Sequence, residues 1–180
     1  MILTKSCNQI TILMKRNIFI KSGLLGVTGL ASVSGFGRSL QEVTNTIAIE
    51  RIKEFVIAGH KDLDTVKAML KEEPNLVYAR YDWGNGDFEE AIEGAGHVGQ
   101  KEIADYLIAQ GARVNLFVLT LLGKTQIVIP TLEEYPNLLY AKGPHGFSLL
   151  HHAKMGGTEA QEIFDYLSEK GLKETKFKIN

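Results

Sequence analysis

The side chains able to do chemistry fall into three groups. Five histidines, His60, His97, His145, His151 and His152, offer imidazoles that titrate near neutral pH and ligate metals. Glu89, Glu90 and Glu93 stand just ahead of His97, and paired carboxylates beside an imidazole can do general acid–base work. The stretch Arg80-Tyr81-Asp82-Trp83-Gly84-Asn85-Gly86-Asp87 supplies Arg, Tyr and Trp, the residue types that dominate binding hot spots. Its Asn85-Gly86 pair favours a tight turn with positive φ.

Spacing argues against catalysis in each group. His151 and His152 are adjacent, so on a helix they point in different directions and do not share an ion. No histidines show the ligand spacing of a zinc site, and no metal or other cofactor is expected. A run of acids is ordinarily a solvated helix face, which is the expectation for Glu89, Glu90 and Glu93. Gly94-Ala95-Gly96-His97-Val98-Gly99 matches Gly-x-Gly-x-x-Gly. That dinucleotide loop must follow a buried strand, whereas Asp87-Phe88-Glu89-Glu90 is acidic and poor in β-branched residues. Gly123-Lys124-Thr125 lacks the upstream glycine of a phosphate loop, since Val118 holds that position. No catalytic residue is assigned.

The elements that must carry these groups are repeated. Leu70-Lys71-Glu72-Glu73-Pro74-Asn75-Leu76-Val77-Tyr78-Ala79 returns 62 residues later as Leu132-Glu133-Glu134-Tyr135-Pro136-Asn137-Leu138-Leu139-Tyr140-Ala141. Glu102-Ile103-Ala104-Asp105-Tyr106-Leu107 returns 60 residues later as Glu162-Ile163-Phe164-Asp165-Tyr166-Leu167, with Gly111 and Gly171 closing the two copies. Repeats at this spacing imply stacked modules. From Ile47, apolar residues recur at helical spacing through Ile49, Ile52, Phe55 and Val56, and Gly59 breaks the run. Asp62 or Asp64 can cap a second helix that Pro74 ends. Pro130 should kink or shorten the second helix of the third module, because it removes a backbone donor.

Gly111-Ala112-Arg113-Val114-Asn115 and Gly146-Phe147-Ser148-Leu149-Leu150-His151-His152-Ala153 carry a family resemblance. The second segment resembles the ankyrin repeat signature Gly-x-Thr-Pro-Leu-His-x-Ala, with Ser148 for Thr and Leu149 for Pro. The resemblance implies an all-α solenoid of about four helix-turn-helix modules over residues 47–173. It places His151 at the family's structural histidine, which hydrogen-bonds between loops. It makes Arg80–Asp87 a projecting finger between the first two modules and Lys142-Gly143-Pro144-His145-Gly146 a shorter, stiffer second one. The spacing from Gly111 to Gly123 leaves no room for a finger between modules two and three. An array of this kind typically binds another macromolecule on an extended concave face. The expected partner is another protein, gripped by Arg80, Tyr81, Asp82, Trp83, Asn85, Lys142 and His145 on the fingers and by Glu93, His97 and His152 on the first-helix face. The alternative is a small-ligand or accessory enzyme protein using the Glu93, His97 and His152 region.

Charge narrows the partner further. Residues 1–37 hold Lys5, Lys15, Arg16, Lys21 and no acid, which leaves 16 of the 20 basic residues against all 21 acidic ones in the rest of the chain. An acidic body with no basic stripe argues against nucleic acid. From Met14, a basic head leads into an uncharged Gly- and Ser-rich run, Ser22 to Gly37, too short to span a bilayer and suited to a cleaved export signal. Arg16-Asn17-Ile18-Phe19-Ile20-Lys21 resembles a twin-arginine export motif, with Asn17 in place of the second arginine. The expected organisation is an export signal at 1–37, a linker at 38–46, the array at 47–173 and a fraying basic tail at 174–180. The expected location is periplasmic or exported in a bacterium, with no stable membrane span after signal removal. The alternative is cytoplasmic with an uncleaved N-terminus. The lone Cys7 leaves the body without thiolate sites or disulfides.

Overall fold

The structure is a computed structural model that describes residues 46–179. The expected export signal, nearly all of the linker and Cys7 lie outside the described residues. The described chain is mostly helical, with one two-stranded sheet. Its helices come in consecutive pairs: α1 (Ile49–Gly59) with α2 (Leu63–Glu72), α3 (Ala91–Val98) with α4 (Lys101–Ala109), α5 (Leu116–Leu121) with α6 (Thr125–Glu134), and α7 (Leu149–Gly156) with α8 (Gln161–Glu169). Between the first two pairs, β1 (Arg80–Asp82) and β2 (Phe88–Glu90) form an antiparallel hairpin.

Local chemistry sets the helix starts. Asp62 accepts the Thr65 N–H at 3.0 Å, Asn115 that of Val118 at 3.0 Å and Ser148 that of His151 at 3.3 Å. Each uses a short polar side chain to satisfy a donor that the first turn leaves free. Both copies of Pro-Asn-Leu-x-Tyr, at Pro74–Tyr78 and Pro136–Tyr140, form a 3-10 turn after a second helix, so the sequence repeat is also a repeat of conformation. The expected effect of Pro130 is absent at the level of length. α6 runs through it with ten residues, as many as α2.

The first helices pack in a row, α1 on α3, α3 on α5 and α5 on α7. Gly59 and Gly156 let them come close. A Cβ at Gly59 would overlap the Ala91 carbonyl oxygen, and one at Gly156 would overlap that of Leu121. Apolar side chains gather in two clusters, one around Phe55, Leu76, Ile92 and Leu107, the other around Leu149, Ile163, Leu167 and Leu172. α5 belongs to both. Val118, Leu121 and Leu122 join the first cluster, while Leu116, Phe117 and Leu119 pack against the second. α5 therefore joins the two clusters. The tail is also tied down rather than frayed. The Ser148 N–H donates to the Thr175 carbonyl at 3.0 Å, the Phe177 N–H to Gly146 at 2.7 Å and Lys142 Nζ to Lys178 at 2.8 Å. Among the described residues, no helix is long and apolar enough to cross a membrane.

Candidate functional site

Four histidines and two acids, Asp87 and Glu89, meet where the two fingers come down on the first-helix row. The first finger is the hairpin, registered with Arg80 opposite Glu90, Tyr81 opposite Glu89 and Asp82 opposite Phe88. Its turn has positive φ at Gly84, Asn85 and Gly86, and the Trp83 N–H donates to the Asp87 carbonyl at 2.8 Å. Asn85-Gly86 thus makes the turn its sequence implies. Trp83 leans edge-on to Tyr81 at 4.7 Å between ring centres, with the Lys53 ammonium above both rings. Trp83 stays 36% exposed, but its indole Nε1–H reaches inward to Glu89 Oε2 at 2.8 Å. One side chain therefore serves the surface and the interior together.

The second finger turns at His145, whose φ of 57° is left-handed. Asp87 holds it there. Its two carboxylate oxygens accept the His145 backbone N–H at 2.8 Å and the His145 Nδ1–H at 2.7 Å. The fingers, separated by 58 residues, are one joined structure.

Under them lies Glu89, whose side chain is fully buried. His97 Nε2 donates to Glu89 Oε1 at 2.8 Å, and His60 Nε2 stands 3.3 Å from the same oxygen. His145 Nε2 is 3.4 Å from Glu89 Oε2, and the Nε2 atoms of His60 and His97 are 3.1 Å apart. The fold converges them from four places: His60 caps the end of α1, Glu89 sits on β2, His97 lies in the last turn of α3 and His145 heads the second finger. Phe147 stacks on both His97 and His151, and His151 Nε2–H donates to the His97 carbonyl at 2.7 Å. His151 thus ties α7 to the last turn of α3.

Electrostatics follow from this packing. Burial alone would raise the Glu89 pKa, but hydrogen bonds and charge from His60 and His97 overcome it and hold the carboxyl at about 2. Burial alone would lower His60, but the Glu89 contact and the Val56 carbonyl outweigh it and raise its pKa. The His60 Nδ1–H donates to that carbonyl at 2.9 Å, which fixes the tautomer and aims Nε2 at Glu89. Asp87 does the same for His145. His97 Nδ1 is the single buried side-chain polar atom without a partner among the described residues.

These positions revise three expectations. Glu89, Glu90 and Glu93 are not a solvated face: they are buried, because the hairpin folds β2 and the start of α3 under the first finger. Glu93, His97 and His152, expected on an open binding face, are buried as well. Glu93 accepts from Arg80 Nη2 at 3.1 Å, Asn115 Nδ2 at 2.7 Å and the Glu90 N–H at 2.7 Å, so it pins the finger to the α4–α5 loop. His152 donates from Nδ1 to the Ser148 carbonyl at 2.8 Å, and burial pushes its pKa down to about 4. It is a neutral core histidine that packs beside Phe117. Third, the histidines do gather. Among the described residues, one group of four has donor atoms all within 4.8 Å of one another: His60, Glu89, His97 and His145. Linear spacing could not reveal this, because His60 and His145 lie far along the chain from Glu89 and His97. Arg80, Asp82, Trp83, Asn85 and Lys142 remain exposed, and Tyr81 and His145 are half-buried.

No protein-family model matches the chain, and neither a curated protein nor a solved structure does.

Proposed function

We propose that residues 47–173 are an ankyrin-like array of four helix pairs and that the protein is a non-catalytic module that binds another protein through its two joined fingers. The observation that carries this reading is the unbroken row of first helices, α1 on α3 on α5 on α7, each backed by its own second helix. In such an array each module buries its apolar side mainly against its neighbours, and loops of equivalent position project from one edge. The fingers rise from equivalent places, after the two Pro-Asn-Leu-x-Tyr turns. They expose Arg80, Asp82, Trp83, Asn85 and Lys142 over a base made rigid by Glu93 and by Asp87–His145. A preorganised aromatic and charged rim is what a protein partner needs, since little ordering cost remains at binding. Export directed by residues 1–37 belongs to the same proposal, and the N-terminal residue of the mature chain tests it.

The test is capture from the cell envelope with three baits: wild type, Trp83→Ala and Lys142→Glu. The proposal expects a discrete protein that wild type retains. The purified partner should then bind each variant at least about tenfold more weakly, a loss of about 1.4 kcal/mol. Equal binding by all three baits, with helicity unchanged, contradicts it.

A further inference from the structure

We infer that His60, Glu89, His97 and His145 bind one late first-row divalent metal ion of the zinc type, through three imidazole nitrogens and one carboxylate oxygen. The inference rests on side-chain geometry and goes beyond the partner-binding reading. A tetrahedral zinc ion with ligand bonds of 2.0–2.1 Å needs donor atoms about 3.3 Å apart. Three donors already stand near that spacing: 3.1 Å from His60 to His97, 3.3 Å from His60 to Glu89 Oε1 and 2.8 Å from His97 to the same oxygen, while His145 lies 3.4 Å from Glu89 Oε2 and completes a set whose donor atoms are all within 4.8 Å of one another. An ion at their centre needs the wider-spaced arms drawn in by side-chain movements of about an ångström.

The outer contacts point the same way. Ligating histidines ordinarily give their second ring N–H to a carbonyl or a carboxylate, which fixes the tautomer and strengthens the donor. His60 gives its Nδ1–H to the Val56 carbonyl, and His145 gives its own to Asp87. Both Nε2 lone pairs then face the Glu89 carboxylate, which is itself negative. A cation between these lone pairs and the carboxylate would satisfy all of them at once, in place of the protons that His97 and Trp83 now supply to Glu89. Coordination by His97 Nε2 places that ring's proton on Nδ1, which faces no protein acceptor. This third arm is the weak one, held by stacking on Phe147 rather than by a hydrogen bond.

The donor set selects the class of ion. Imidazoles suit zinc, copper, iron and nickel, whereas calcium and magnesium ask for oxygen ligands. Four protein donors close a tetrahedral shell and leave no position for a reacting water, so the ion fastens structure instead of doing chemistry. It would join the end of α1, the hairpin, α3 and the second finger at one point. Trp83 and Phe147 cover the cluster, while the His60 and His145 side chains, 23% and 27% exposed, line a way in.

The experiment strips the full chain with chelator and titrates Zn2+ against a chromogenic competitor. Wild type should take up one ion per chain, at least about 100-fold more tightly than Glu89→Gln or His145→Gln. Helicity by circular dichroism confirms that each variant is folded. Zinc X-ray absorption should show nitrogen and oxygen neighbours with imidazole scattering and no sulfur. If the variants do not fold, Co2+ added to wild type decides: the intense visible absorption of a tetrahedral site supports the inference, and a weak octahedral spectrum overturns it. It is also overturned by no Zn2+ uptake at millimolar concentration, by equal affinity in folded variants, or by sulfur from Cys7 in the metal shell.

Discussion

Asp87 holds His145 by both ends, taking its backbone N–H at 2.8 Å and its ring Nδ1–H at 2.7 Å across 58 residues of sequence. The contact does three things. It fixes a left-handed turn that a non-glycine residue disfavours, joins the two fingers and aims His145 Nε2 at the buried Glu89.

Removing that acceptor should loosen the fingers measurably. Asp87→Ala leaves two partly buried donors unmet and should destabilise the protein by about 1–3 kcal/mol in urea unfolding. Asp87→Asn keeps one acceptor and should lose less. A change within about 0.5 kcal/mol for the alanine variant, as for an ordinary surface site, would contradict the joining role.

Close approach of the first helices gives a prediction of sign. A glycine inside a helix normally costs about 0.5–1 kcal/mol relative to alanine. At Gly59 and Gly156 the added methyl meets backbone of the neighbouring helix, Ala91 and Leu121 respectively, and backbone cannot swing aside. Gly59→Ala and Gly156→Ala should therefore destabilise, by about 1–3 kcal/mol. A rise in thermal midpoint for either variant would show that the helices do not pack as closely as described.

Glu93 separates a supporting role from a binding one. Glu93→Ala strands the Arg80 guanidinium, the Asn115 amide and the Glu90 N–H. It should cost about 1–3 kcal/mol, because the Asn115 amide and the Glu90 N–H are left without their acceptor, while the half-exposed Arg80 can turn to water. Partner affinity of the folded variant at low temperature should change little. A large loss of affinity with full stability would put Glu93 back on the binding surface.

His152 makes stability depend on pH. Burial lowers its folded pKa from 6.5 to about 4, and its neighbours His151 and His97 press the same way. Between these values the unfolded chain binds a proton that the folded chain refuses. The contribution of His152 is complete above pH 6.5 and declines as pH falls towards 4, by roughly 3 kcal/mol in all. Urea unfolding of wild type and His152→Gln at pH 7 and pH 4.5 should show the steeper acid loss in wild type. Parallel losses would mean that His152 accepts a proton in the folded state.

The fold was more legible in the sequence than the site was. Helical spacing from Ile47, the two Pro-Asn-Leu-x-Tyr copies and the turn at Asn85-Gly86 are local signals, and each appears as local structure. Burial of acids is not local. Glu89 and Glu93 read as solvent-facing because a run of carboxylates usually is. Here a three-residue strand and its partner turn Glu89 inward, to meet donors from His97 eight residues away and from Trp83 six residues away. The histidine group is less local still. His60 and His145 lie in different modules, and only the stacking of α1 on α3, with the second finger against α3, brings them to one carboxylate. The tail differs from its local signal for a related reason: its charge suggests fraying, but its backbone is paired with Gly146 and Ser148.

Packing of the helix pairs brings His60 and His145 to Glu89 and His97, at the proposed metal-binding point beneath the fingers. Anomalous diffraction at the zinc edge from crystals of the Zn2+-loaded full chain tests it most directly. One strong peak should lie about 2.0–2.1 Å from Nε2 of His60, His97 and His145 and from one oxygen of Glu89. A peak elsewhere on the chain, or none at these residues in a well-ordered map, would contradict it.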